Sequence, residues 1–207
     1  QDLIKLNTNE NPYPPSPRVA EAVASQVGSL RLYPEIDCET LRKIIAACEG
    51  LSPDQVFLGN GSDEVLSLSF PAFFNPDEPV RFPSVTYSFY KVYAELFGIP
   101  YQTVPMKPGF AVDVDALTEG SGGVILANPN APTGKALPRD GIAQIVRTNP
   151  DSVVIVDEAY VDFGGESAVP LVAQFDNLLV TQTFSKSRSL AGARLGFGIG
   201  APSLIAD

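Results

Sequence analysis

Histidine is absent from all 207 residues. Ser–His and Cys–His nucleophiles and His-ligated zinc therefore cannot be assembled from this chain, and acid–base chemistry falls to Lys, Asp, Glu or Tyr. Basic residues are scarce: 14 Lys plus Arg stand against 24 Asp plus Glu, a formal net charge of −10. That balance argues against a general affinity for nucleic acid or anionic membrane and favours a small-molecule partner. The two cysteines, Cys38 and Cys48, have no CxxC companion, so neither a metal cluster nor a disulfide framework is expected. No apolar run approaches the roughly 20 residues of a membrane-spanning helix, and the opening QDLIKLNTNENPYPP is too polar for a secretory signal. A soluble, cytoplasmic protein is expected. Internal repeats and low-complexity tracts are lacking too.

With 44% of residues hydrophobic and 18% charged, the chain has enough apolar material for one substantial core. Residues 1–16, rich in Asn and Pro without periodicity, read as an extended arm. Ser16 and Pro17 resemble an N-cap followed by Pro at the first helical position, opening a helix through about Val27. A second helix is expected from Cys38 to Cys48, with Leu41, Ile44, Ile45 and Cys48 on one face. Thereafter short apolar runs at 56–58, 79–82, 101–104, 124–127, 153–156, 178–181 and 195–199 read as strands. Helical patterns at 63–74, 88–97 and 139–147 lie between them. The alternation predicts βαβ units: an α/β fold, a three-layer sandwich with a mostly parallel sheet between helices. VILA and VVIV suit strands buried on both faces.

In such a sheet ligands sit beyond the carboxyl ends of the strands, and four polar clusters follow predicted strands. Gly59-Asn60-Gly61-Ser62-Asp63-Glu64 offers two glycines and a helix start, which serves either as a capped turn or as an anion cradle; it is no Walker loop, since no GK[ST] follows. Asp157, in DEAY, leaves a hydrophobic strand and needs a helix N-terminus, an arginine or a protonated ring nitrogen to meet it. Lys186, in TFSKSRSLAGARLGF, is either an ordinary loop lysine or an amine able to form a Schiff base with a carbonyl. With Arg194 eight residues on as a second phosphate ligand, the clusters together describe a pyridoxal phosphate site.

The ordered series GNGSDE, SVTYSFY, NPNAPTG, VVIVDEAY and TFSKSRSLAGARLGF closely resembles the fold-type I pyridoxal-phosphate aminotransferases. Within them, LNTNENPYPPSP and LYPE resemble the histidinol-phosphate aminotransferase family. The resemblance runs through essentially the whole chain. It implies the large, cofactor-holding domain over residues 31–207, preceded by an arm and first helix over residues 1–30, and pyridoxal 5′-phosphate as cofactor. By motif, Lys186 resembles the lysine that carries the cofactor, Asp157 the partner of its ring nitrogen, Tyr160 a donor to its 3-oxygen and Tyr87 the ring against its face. Gly61, Ser62 and Asp63 resemble the phosphate loop, with Ser185 and Arg194 joining them. Tyr33 resembles the tyrosine that reaches into a neighbouring subunit's site, implying a homodimer.

The implied reaction is transamination between histidinol phosphate and 2-oxoglutarate, an amino donor and a keto acceptor. Threonine-phosphate decarboxylase, aromatic amino-acid aminotransferase and a non-catalytic cofactor-binding domain are the alternatives. Two departures stand out. Many relatives have Asn immediately before PTG where this chain has Ala131, so either Asn130 takes over the contact to the 3-oxygen or that contact is missing. Family chains also continue into a smaller C-terminal domain bearing a substrate-carboxylate arginine, so the 207 residues are expected to be a fragment, a truncated product or an isolated cofactor domain.

Overall fold

Seven apolar segments pair side by side in the computed structural model of the chain, which describes residues 4–118, 120 and 122–206. They are β1 (Val56–Asn60), β2 (Val80–Pro83), β3 (Tyr101–Val104), β4 (Val124–Ala127), β5 (Val154–Asp157), β6 (Leu178–Thr183) and β7 (Leu195–Ile199). Their order is β1-β7-β6-β5-β4-β2-β3. Strands β2 to β6 pair in parallel, while β7 is antiparallel to both β1 and β6. Two antiparallel pairings restore direction, so β1 runs the same way as β6. The carboxyl ends of six strands and the amino end of β7 thus share one edge.

Side chains alternate across each strand, and the alternation divides the core. Val124, Leu126, Val154, Val156, Leu178 and Val180 face one way, packing against α2 (Glu39–Glu49), α5 (Val114–Thr118) and α6 (Arg139–Thr148). Ile125, Ala127, Ile155 and Leu179 face the other way, against α3 (Ser62–Phe73) and α4 (Phe89–Phe97). Both faces are covered, which explains why VILA and VVIV carry no polar alternation.

The strands extend further into the polar clusters than their apolar cores predict: β1 runs to Asn60, β5 to Asp157 and β6 to Thr183. The first helix, α1, spans Pro17–Gln26 with Pro17 in its first turn, but the Ser16 side chain makes no capping bond. The expected face of α2 is corrected. Ile45 and Ala46 are buried, whereas Ile44 and Cys48 are exposed. The helix is rolled so that Arg42 Nε donates to the carbonyls of Pro53 and Val56, tying α2 to the start of β1. Neither α5 nor α7 (Pro202–Ala206) has enough turns to show a period in the sequence. Of the arm, residues 1–3 lie outside the described residues, as do residues 119, 121 and 207; residues 4–16 contain no helix or strand.

Candidate active site

The turn from β1 into α3 is closed by backbone that tolerates no side chain. Gly61 has φ +80°, and a Cβ there would lie 2.4 Å from Arg194 Nη2. Gly196, opposite on β7, approaches so closely that a Cβ would lie 2.3 Å from Ser62 N. Glu64 folds back to accept from Asn60 N–H at 2.7 Å and Asn60 Nδ2 at 2.9 Å, and these bonds hold its carboxyl below the usual range. The twelve-residue α3 therefore starts with its free N–H groups beside a guanidinium, a setting suited to an anion. Arg194 is fixed there by the Ala191 and Asn60 carbonyls at 3.1 and 3.3 Å. The Asp63 carboxylate lies 3.6 Å from Arg194 Nη2 and accepts from the Tyr87 hydroxyl at 2.9 Å. Asp63 can thus offer an anion its backbone N–H, not its side chain. Ser185 is joined to the same corner: its N–H donates to Thr183 Oγ1 at 3.2 Å, and neighbouring Phe184 N–H donates to Leu195 O at 3.0 Å.

Asp157 ends β5 on the α3/α4 face, continuing the side of Ile155, and is 4% exposed. From α4 the fully buried Tyr90 donates its hydroxyl to Asp157 Oδ2 at 2.9 Å, and Ala159 N–H donates to Oδ1 at 3.1 Å. Thr181, its partner in register on β6, reaches Oδ1 at 3.5 Å. Burial pushes the carboxyl up to about 6, against the downward pull of these donors. Tyr90 was not singled out by its sequence. Its signal is the spacing Tyr87–Tyr90 across the start of α4, which brings the two rings edge to face at 5.5 Å. Glu158, the next residue, turns to the opposite face. There it accepts from Ala168 N–H at 2.5 Å, Ser167 Oγ at 2.8 Å and Gln182 Nε2 at 2.9 Å, and burial lifts it to about 7. It fastens the loop after β5 rather than facing the cleft.

Lys186 and Tyr160 come together beyond β5 and β6: the lysine Nζ lies 5.6 Å from the centre of the Tyr160 ring. They line an open cleft of about 340 Å³ with Asn9, Glu10, Asn11, Pro12 and Phe163. The arm forms one wall. Lys186 Nζ donates to Thr8 O at 2.9 Å, Asn9 Nδ2 donates to the Tyr160 hydroxyl at 2.8 Å, and Asn11 Nδ2 donates to the carbonyls of Lys186 and Ser187 at 3.2 and 3.3 Å. The arm residues carry no periodicity, and only the density of amides in LNTNEN hinted at them. Arg188, the other arginine of the lysine segment, lies over the Phe184 ring at 4.6 Å and pairs with Asp162 at 3.7 Å, away from any anion cradle.

Other expected residues take different places. Asn130 is buried, and its amide nitrogen donates to Val85 O and Thr133 Oγ1, both at 2.9 Å, while its oxygen accepts from Thr86 Oγ1 at 2.8 Å. Both N–H groups are engaged in shaping the NPNAPTG loop. The Tyr87 ring is half-buried, stacked on Phe89 at 5.5 Å, with burial holding its hydroxyl protonated. Tyr33 is 100% exposed, and among the described residues nothing ties it to the cluster. No group of three or more acidic or cysteine side chains among the described residues is placed to hold a metal ion.

The profile of the aminotransferase class I and II family matches residues 1–207. Histidinol-phosphate aminotransferase 1 of Bradyrhizobium diazoefficiens is 57% identical over 203 residues, covering 98% of this chain and 58% of the relative. The chain spans about 58% of the length of the curated relatives it matches. Among solved structures, a putative histidinol-phosphate aminotransferase from Erwinia carotovora superposes with TM-score 0.91 at 30% identity, over 98% of this chain and 62% of that one. Histidinol-phosphate aminotransferase from Sinorhizobium meliloti, solved in complex with pyridoxal-5′-phosphate, gives 0.88 at 26% identity over 96% and 56%. Matched from end to end by the family profile and sharing the sheet of its solved relatives, the chain belongs to the class I and II aminotransferases.

Proposed function

We propose that this chain is the cofactor-holding part of a pyridoxal-phosphate-dependent aminotransferase, acting on histidinol phosphate with 2-oxoglutarate as acceptor. The observation that carries the reading is Asp157: a carboxylate 4% exposed at the carboxyl end of a strand, met among the described residues by neutral donors alone, is matched best by a protonated ring nitrogen. The cradle fits the rest of such a group. A Cβ at Gly61 would collide with Arg194 and one at Gly196 with the Ser62 and Gly61 backbone, so the two glycines let the β1–α3 turn close against β7 with Arg194 beside the start of α3. Residues 31–207 are proposed as the domain that holds the cofactor, with residues 1–30 as arm and first helix.

The cofactor, when bound, supplies the electron sink for breaking a bond at the substrate α-carbon. The chain's own groups do the rest. The N–H groups of Ser62 and Asp63, with Ser185 and Arg194, would hold the phosphate, while the Gly61 N–H donates to Gly59 O at 2.9 Å and Gly61 shapes the turn that presents them. Asp157 would keep the proton on the ring nitrogen, Tyr87 would flank the ring, and Tyr160 would donate to the phenolic oxygen. Lys186 would hold the cofactor covalently through its amine, with water leaving, and once displaced by the substrate amine it would take the proton from the substrate α-carbon. Histidinol phosphate as substrate rests on the 57% identical relative.

A homodimer with shared sites is the proposed assembly. It would cover α1, which buries no residue, and the exposed Leu30, Tyr33 and Ile36. The unpaired thiols of Cys38 and Cys48 suit the reducing cytoplasm. The test of the cofactor assignment is borohydride reduction with pyridoxal phosphate followed by peptide mapping. The label is expected on Lys186; a label on Lys135 or Lys91 refutes the reading.

A further inference from the structure

We propose that Asn9 is a positioning residue that fixes the Tyr160 hydroxyl as a hydrogen-bond donor to the ligand. The inference rests on the functional reading above and concerns how one of its contacts is set. A phenol has one proton to give, and either direction is open to a tyrosine at the edge of a cleft. Asn9 removes the choice. Its Nδ2 donates to the Tyr160 oxygen at 2.8 Å, so the Tyr160 proton must point elsewhere. Among the described residues none accepts it, and the ring borders the cleft that holds Lys186.

Asn9 is itself held from both sides along the chain. Thr8 O accepts from Lys186 Nζ at 2.9 Å, and Asn11 Nδ2 grips the carbonyls of Lys186 and Ser187 at 3.2 and 3.3 Å. Asn9 also adopts φ +53°, a conformation that asparagine and aspartate tolerate better than most residues. The nearby amide of Asn130 has both N–H groups engaged, by Val85 O and Thr133 Oγ1. Asn9 and Ala131 border the same second cavity, together with Tyr160. The arm thus brings an amide to the hydroxyl from outside the sheet.

Two substitutions separate polarity from shape. Asn9→Asp keeps size and backbone preference but turns the donor into an acceptor, so the Tyr160 proton swings toward residue 9. Asn9→Gly keeps the backbone conformation and deletes the amide. In the intact protein, pyridoxal phosphate affinity is expected to fall roughly threefold to tenfold in Asn9→Gly, the worth of one hydrogen bond, and further in Asn9→Asp. A purely structural role for the arm predicts the reverse order, because glycine frees the chain. In a Tyr160→Phe background, both changes are expected to have little further effect. Asn9→Asp binding like wild type, or losing as much in the Tyr160→Phe background, overturns the proposal.

A second readout needs no cofactor. The Asn9 side-chain amide resonance should move on Tyr160→Phe, and an unmoved resonance likewise overturns the proposal. If borohydride labels a residue other than Lys186 in the wild type, the functional reading falls and takes this inference with it. Correct labelling with unchanged Asn9 variants sinks this inference alone.

Discussion

Replacing Asp157 by Asn should make the cofactor-free protein more stable at neutral and alkaline pH while disabling its site. Asn can keep all three contacts: its oxygen accepts from Ala159 N–H and Thr181 Oγ1, and its amide donates to a rotated Tyr90 hydroxyl, replacing the bonds that converge on the carboxylate. What changes is the charge. Burial raises Asp157 from 3.8 to about 6, a difference of about 2 units, or about 3 kcal/mol. A raised folded value means that the native state holds its proton more tightly than the unfolded chain. The advantage is fully present below 3.8, shrinks as pH rises through about 6, and leaves the ionised wild type carrying that cost at pH 8. About half of it is already present at pH 5, so the gap between mutant and wild type should widen by about 1–2 kcal/mol from pH 5 to pH 8. Urea unfolding of both proteins at the two pH values, with cofactor removed, measures this. Glu158 titrates in both proteins and cancels. Saturating pyridoxal phosphate should then reverse the order, because only the carboxylate can hold a ring N–H⁺. A gap that stays constant between pH 5 and pH 8 would refute the claim that Asp157 is buried and ionised.

Tyr90→Phe removes a donor from a buried carboxylate, an interaction of about 1.5–3 kcal/mol for a charged acceptor. The Asp157 carboxyl should therefore titrate about 1–2 units higher; a ¹³C resonance that titrates as in the wild type speaks against the Tyr90 contact. The two glycines of the cradle should respond differently to alanine. At Gly61 the intruding Cβ meets the flexible end of Arg194, so phosphate affinity should fall with moderate loss of stability. At Gly196 it meets the backbone of Ser62 and Gly61, so the chain must shift and stability should fall by about 3 kcal/mol or more. Equal unfolding midpoints for the two variants would contradict that distinction.

The sheet was legible because its strands are covered on both faces and so appear as unbroken apolar runs. Their ends were read short, since Asn60, Asp157, Gln182 and Thr183 are polar residues extended for the sake of the site. The α2 face was misjudged because Arg42 follows hydrogen bonds to Pro53 and Val56 rather than hydropathy. Lys186 and Asp157 could be picked out as polar residues following buried strands, whereas Tyr160 came only from the family resemblance. Thr8, Asn9 and Asn11 could not, because they reach the site from the arm, where neither period nor strand-end position marks them, and the fully buried Tyr90 reads as one more apolar position on the inner face of α4. Asn130 looked like a ligand residue, but only tertiary structure reveals that Val85, Thr86 and Thr133 occupy its amide.

The position of β7 has a consequence for how the chain reaches this state. Last of the strands in sequence, β7 is inserted between β1 and β6, and it is the partner through which β1 joins the sheet: Val56 pairs with Ile199 and Asn60 with Leu195. During synthesis β1 and the GNGSDE turn emerge early, yet β1 has no strand to pair with until residues 195–199 follow, whereas β2 to β6 can assemble from neighbours closer in sequence. Closure of so long a loop is entropically costly and slow. The cradle against Arg194 should thus be the last part of this sheet to form on the ribosome, and an exposed β1 the segment that chaperones or premature aggregation reach first.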